Sequence, residues 1–301
     1  VSDSDLAASF QACREITRAH ARNFYYGLRL TPEPRRSAVY AIYAWMRTAD
    51  DLVDQPTPAE ERRQALAEFA GRTRRVLEGD RSAFDQQAWW PAFAATMASY
   101  PIEHAYIHDM LAGLGEDLDH HGYATRADLD RYCYRVGSTV GLTCIAIWGL
   151  RPGADEELAR QRSESRGRAF QLTNILRDIG QDFDDRPSRC YVPAEDLERH
   201  GLTAAELRRW AEPARCLALV SEHIDRAKAF YRASAGLEQQ LSPDCAPALW
   251  GMTEIYARLL DLIAADPARV VGPARVRLSS ARKGLIAVQA VVRSRAGAWA
   301  G

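Results

Sequence analysis

Histidine, paired cysteine and excess charge are all scarce in this chain, and each shortage removes a class of function. The six cysteines (Cys13, Cys133, Cys144, Cys190, Cys216, Cys245) are scattered with no CxxC pair. That argues against a disulfide framework or zinc site and for a reducing, cytoplasmic home. None of the seven histidines sits in a Glu-x-x-His motif, so a di-iron helical bundle lacks its ligands. Lysine plus arginine (39) and aspartate plus glutamate (40) nearly cancel, leaving a formal charge of −1. Nucleic acid, which calls for a basic excess, is thereby disfavoured as a partner. There is no P-loop and no GxGxxG to cradle a nucleotide. The most apolar run, "VGLTCIAIWGL" from Val140 to Leu150, is about half the ~20 residues that span a bilayer. Peripheral contact with a membrane stays open. Residues 1–10 lack a signal-peptide pattern, and the leading valine suggests a trimmed chain.

Strand signals are few and helix signals many. Leu6, Phe10, Cys13, Ile16, Thr17 and Ala21 recur at helical spacing behind Ser and Asp caps. "TPEPRRSAVYAIYAWMRTADDLVD" predicts a helix with Thr31 as N-cap and Pro32 at its first position. The prolines of "DQPTP" end it. Residues 58–77 form the next segment, and two helices divide near Tyr100-Pro101. "TRADLDRYCYRVGSTVGLTCIAIWGL" starts at a Thr cap and turns apolar on every face, the mark of a central buried helix. Residues 153–183 read as one long helix, followed by a polar loop and two short helices; two long ones follow over about 213–240 and 247–265, and a last one starts near Ser279. With no linker or repeat, the expectation is one all-α domain over residues 1–301.

Two polar stripes interrupt this apolar pattern. In "RTADDLVD", Asp50 and Asp54 share a helix face, with Arg47 one turn earlier. Like charges so placed repel. Either the stripe is a solvated helix end paired to Arg47, or a cation offsets the charge. On a core helix, Gln171, Asn174, Asp178 and Asp182 form a second stripe at i, i+3, i+7 and i+11. Such groups are costly to bury unless paired or ligated. Carboxylates without histidine favour a hard, oxygen-seeking cation, and Mg²⁺ usually joins one or two carboxylates to substrate phosphate. The reading is Mg²⁺ between aspartates and a diphosphate leaving group. A carbocation would remain, so the cavity should be apolar and aromatic, walled by Phe24, Tyr25, Tyr40, Tyr43, Trp45 and the 140–148 run.

The segments "HARNFYYGLRLTPEPRRSAVYAIYAWMRTADDLVD", "YCYRVGSTVGL" and "RAFQLTNILRDIGQDF…RCYVPAEDL" resemble, in order and spacing, the squalene and phytoene synthases. The likeness runs from about His20 to Lys283. It implies the isoprenoid synthase fold, a helical bundle around a central cavity. It also implies head-to-head condensation of two prenyl diphosphates through a cyclopropylcarbinyl diphosphate. Asp50 and Asp54, and Asp178 and Asp182, match the two DxxxD magnesium-binding pairs, with Asp51 in the first motif and Gln171 and Asn174 beside the second. Mn²⁺ is an alternative metal. His20, Asn23 and Arg47 match diphosphate-facing positions, although Asn23 stands where Ser is frequent. Tyr256, Arg275 and Lys283 match C-terminal groups that hold diphosphate, and Tyr132 matches a central-helix tyrosine that steers protons or cations.

The loop "FDDRPSRCYVP" looks about two residues longer than the family's usual path, with Cys190 and Val192 departing from commoner choices. Leu28 stands where a larger aromatic could limit chain length. General resemblance to bacterial squalene-type members favours a C30 product from farnesyl diphosphate. A C40 phytoene from geranylgeranyl diphosphate is the alternative, and a head-to-tail prenyltransferase or terpene cyclase is remoter, since "DDLVD" also fits DDxxD. A non-catalytic helical partner would leave both stripes unexplained. NADPH use is open, because relatives variously reduce, hydrate or deprotonate the final cation.

Overall fold

The computed structural model describes residues 2–118, 120, 122–185 and 188–299, apart from the side chains of Arg22 and Asn23. Fourteen α-helices follow in order among these residues: α1 Asp3–His20, α2 Arg22–Leu28, α3 Arg35–Val53, α4 Ala59–Leu77, α5 Trp90–Ser99, α6 His104–Leu118 and α7 Arg126–Cys133. Then come α8 Thr139–Trp148, α9 Glu156–Asp184, α10 Ala194–Arg199, α11 Ala204–Arg209, α12 Pro213–Ala233, α13 Ala246–Ala265 and α14 Ser280–Arg295. The described residues form no strand; one isolated bridge joins Leu150 to Leu241. The all-α expectation is met.

Local chemistry sets most boundaries. Ser2 and Thr125 close capping boxes at α1 and α7, and Asp155 caps α9 through the Leu158 amide. The helix expected from Thr31 begins instead at Arg35. Residues 33 and 34 form a turn, and Pro34, the N-cap, has no amide hydrogen. Thr31 is buried and accepts a hydrogen bond from Trp148 Nε1 at 3.2 Å. The central helix is not continuous either: a π turn over Tyr134–Ser138 separates α7 from α8. The helix expected over about 213–240 stops at Ala233.

The π turn lies against α9 at near backbone contact. A Cβ on Gly167 would stand 2.4 Å from Ser138 Cα, and one on Gly137 would stand 2.6 Å from the Gly167 carbonyl. Two glycines thus let α9, which carries the second polar stripe, press onto the central helix. The α3 helix is buried on most sides, with Trp45 stacked on Phe93 at 5.4 Å and bonded through Nε1 to Thr73. The two aspartate helices are therefore fixed by a packed core, which dictates where their carboxylates stand.

Candidate active site

An apolar cavity of about 300 Å³ runs between α2, α3, α6, α7, α8, α9 and α13. Its walls include Phe24, Leu28, Tyr43, Met46, Val140, Cys144, Trp148, Phe170 and Met252. Beside it lies a polar cavity of about 290 Å³ containing Asp50, Asp54, Asp117, Arg177, Asp178, Asp182, Arg189 and Tyr191. Asp50, Leu114, Asp117, Tyr132, Gln171 and Asn174 border both, so the two adjoin. A charged mouth opening onto an apolar chamber suits an amphiphile with an anionic head and a hydrocarbon tail. Three expected wall residues stand elsewhere. Tyr25 stacks on Tyr40 at 6.5 Å, and Trp45 packs in the core with Phe69 and Phe93.

The aspartates fall into distinct environments. Burial pushes the Asp50 carboxyl up to about 7, with Asp54, Asp117 and Asp51 adding repulsion that Arg47 only partly offsets. Burial likewise raises Asp182 to about 7, reinforced by Asp178. No side-chain ion pair reaches either carboxylate among the described residues. Asp178 differs. Burial would raise it, but hydrogen bonds from Arg177 and Arg275 outweigh that and hold it below the usual carboxylate range. Arg177 Nε and Arg275 Nε approach Asp178 Oδ1 at 2.8 and 2.6 Å. Asp54, the C-cap of α3, is 57 % exposed, with Arg189 Nη1 at 3.7 Å.

Several expected residues lie off this mouth. Arg47 pairs with Asp51, its i+4 neighbour, rather than with the Asp50–Asp54 face. That contact turns Asp51 outward and half exposed. His20 is exposed at the end of α1 and lines neither cavity. Lys283 places Nζ 5.9 Å from the Tyr26 ring centre, outside both cavities. The Asn23 side chain lies outside the described residues, as do residues 186 and 187 of the long loop. Tyr256 is buried behind the mouth, its ring 4.7 Å from Phe170 and its hydroxyl facing Arg177 and Asn174.

Four residues at the mouth escaped the sequence reading: Asp117, Arg177, Arg189 and Tyr191. Asp117 accepts hydrogen bonds from Tyr132 and Tyr191 hydroxyls at 2.9 and 2.8 Å. Burial pushes it up to about 6 despite those two bonds. Its sequence signal was only an acidic pair, Glu116-Asp117, ending an apolar helix.

The donor set fits a hard cation. Asn174 Oδ1 is buried with no hydrogen-bond partner, and it stands with two unpaired carboxylates, Asp50 and Asp182. Oxygen-only donors of this type suit Mg²⁺. No three acidic, histidine or cysteine side chains converge as a complete cage among the described residues. A cation here would draw further ligands from diphosphate and water, as Mg²⁺ commonly does. The guanidinium pair on Asp178 would have to share that carboxylate.

The family model described as squalene/phytoene synthase matches residues 17–282. A 15-cis-phytoene synthase of Synechocystis sp. is 33 % identical over 87 % of this chain and 79 % of its own. A second, from Synechococcus elongatus, is 33 % identical over 86 % of this chain and 85 % of its own. Among solved structures, a dehydrosqualene synthase in complex with ligand superposes with a TM-score of 0.83, at 26 % identity, over 97 % of this chain and 99 % of that one. A squalene synthase from Alicyclobacillus acidocaldarius gives 0.77 at 27 % identity, over 88 % and 96 %.

Proposed function

Because the chain belongs to the squalene/phytoene synthase family, and is thereby a head-to-head prenyltransferase, we propose that it joins two geranylgeranyl diphosphates into a C40 phytoene-type product. This replaces the C30 preference of the sequence reading. The observation that carries it is the 33 % identity to phytoene synthases across most of the chain. One wall position is consistent with it: Leu28, which stands where a larger aromatic could limit chain length, lines the apolar cavity without a ring. A C30 product from farnesyl diphosphate is the second reading, favoured by the superposition on a dehydrosqualene synthase.

In this reading Asp50, Asp182 and Asn174 would hold Mg²⁺, with Asp54 and Asp178 at its margin. The ion would supply Lewis-acid neutralisation of the diphosphate leaving group. Arg177, Arg189 and Arg275 add fixed positive charge around the mouth and so favour the departing anion. Phe24, Tyr43, Met46 and Phe170 then face the allylic cation. Their apolar and aromatic surfaces keep out water that would capture it. Tyr132, held on Asp117, stands where mouth and chamber meet, and is the hydroxyl placed to orient the cation or relay a proton. A phytoene-type product ends in proton loss, so this reading takes no NADPH.

The test is a product assay with Mg²⁺, giving farnesyl or geranylgeranyl diphosphate separately, with and without NADPH, and reading products by mass spectrometry. A C40 hydrocarbon independent of NADPH is expected. A C30 product alone would favour the second reading, and short or cyclic terpenes would sink both.

A further inference from the structure

The α14 helix carries apolar residues on two opposite faces. Ile286 and Ala290 are fully buried, and the helix packs on α13 and α2. Leu285, Val288 and Val292 project the other way and are 53, 59 and 60 % exposed, with Val291 beside them. At roughly 100° per residue these four occupy a sector of about 120° opposite the Ile286–Ala290 seam. Of the large hydrophobic residues that are exposed among the described residues, all but Leu217 lie in this one stripe. A helix on a protein surface ordinarily gives its outer face to polar groups. Clustered apolar exposure marks a contact surface.

The charge around the stripe says what that contact is. Residues 267–301 hold seven arginines or lysines and no aspartate or glutamate, in a chain whose overall charge is −1. Arg282 and Arg293 flank the stripe, and Arg295 ends it. Arg293 also lies 5.1 Å from the Trp250 ring centre and 5.9 Å from that of Trp299. Trp299 is buried and Trp250 half-buried, so these rings hold the Arg293 guanidinium at the end of the helix beside the stripe.

We infer that α14 is a membrane-docking face, which sets its apolar stripe into the headgroup–acyl boundary of an anionic bilayer with its basic flanks on the headgroups. Self-association through the same stripe would bring two acid-free basic segments together, which repel. The position also matches the cavity. The α14 helix rests on α2, whose Phe24 and Leu28 line the apolar chamber, so docking brings a chamber wall close to the bilayer.

The test mixes the full chain with phosphatidylcholine vesicles, with and without phosphatidylglycerol, at low and high salt, and measures co-sedimentation. Binding should appear with phosphatidylglycerol at low salt and fall about tenfold or more without the anionic lipid or at high salt. The Leu285→Ser, Val288→Ser, Val292→Ser triple variant should lose about tenfold or more in binding with its helical circular dichroism unchanged. Val288→Trp should bind more tightly, a gain that misfolding does not produce. Equal binding to both vesicle types, or retained binding by the triple variant, would overturn the inference. So would a dimer in solution that the triple variant breaks, which would assign the face to a second copy of the chain.

Discussion

Replacing Glu238 with alanine examines how the apolar chamber is walled at the α9 side. Arg166 lines that chamber, and its side chain and that of Glu238 are only 5 % and 9 % exposed. Arg166 Nη1 donates to Glu238 Oε1 at 2.7 Å, Nε to Ser234 Oγ at 2.7 Å, and Nη2 to the Ser234 carbonyl at 2.9 Å. Without Glu238 the guanidinium stays buried with neutral partners only. Removing one partner of a buried pair costs about 3–5 kcal/mol. The surviving Ser234 bonds place this site at the lower end, about 3 kcal/mol. With a urea slope of about 1–3 kcal/mol/M, the unfolding midpoint should fall by roughly 1–3 M. Glu157→Ala, which removes a solvent-facing partner of Arg160 on the same helix, should leave the midpoint unmoved. Arg166→Met combined with Glu238→Leu should recover most of the loss, because two apolar groups replace the pair without stranding a charge. A Glu238→Ala loss below about 1 kcal/mol, the range of solvated surface pairs, would refute the reasoning.

Gly167→Ala places a methyl group against the Ser138 backbone; overpacking of this kind should cost about 1–3 kcal/mol in urea unfolding. Arg275→Ala should lower turnover by about 10²-fold or more, on the scale of losing one preorganised donor to a developing anion, with helical circular dichroism intact. Asp117→Asn should reduce turnover about tenfold or more by loosening the Tyr132 hydroxyl, while vesicle binding stays as in the parent. Asp196 gives a pH prediction. Burial would raise its carboxyl, but contacts with His223 and Arg126 hold it below its ordinary 3.8. The unfolded chain therefore binds that proton more tightly. The carboxylate's stabilisation is complete above about pH 4 and is lost as pH falls through the depressed folded value. The stability gap between the parent and Asp196→Asn should shrink on going from neutral pH to below that value, in paired urea titrations.

What the sequence disclosed, and what it withheld, follows from the reach of each interaction. Helical spacing and caps made α1, α7, α9 and α13 legible because those signals act within a few residues. The α3 start was misplaced because Pro34, not Thr31, governs the local backbone. Both aspartate stripes were visible as periodic oddities on apolar helices. Their partners were not: Arg275 reaches Asp178 from 97 residues away, and Asp117 joins the mouth from a separate helix. The Asp51–Arg47 contact follows the i,i+4 rule and is the solvated ion pair that the stripe itself allowed, made by Asp51 rather than by the Asp50–Asp54 face. Chain-length preference was the least legible feature. It depends on which side chains from seven helices and the π turn meet at the chamber wall, and no single segment encodes that.

Competition most directly tests the central claim. Purified chain with Mg²⁺ would receive farnesyl and geranylgeranyl diphosphate in equal amounts, limiting enzyme, and products would be counted by carbon number. A C40 head-to-head product in clear excess over C30 is the expected result. A C30 excess, or products lacking the head-to-head join, would contradict it.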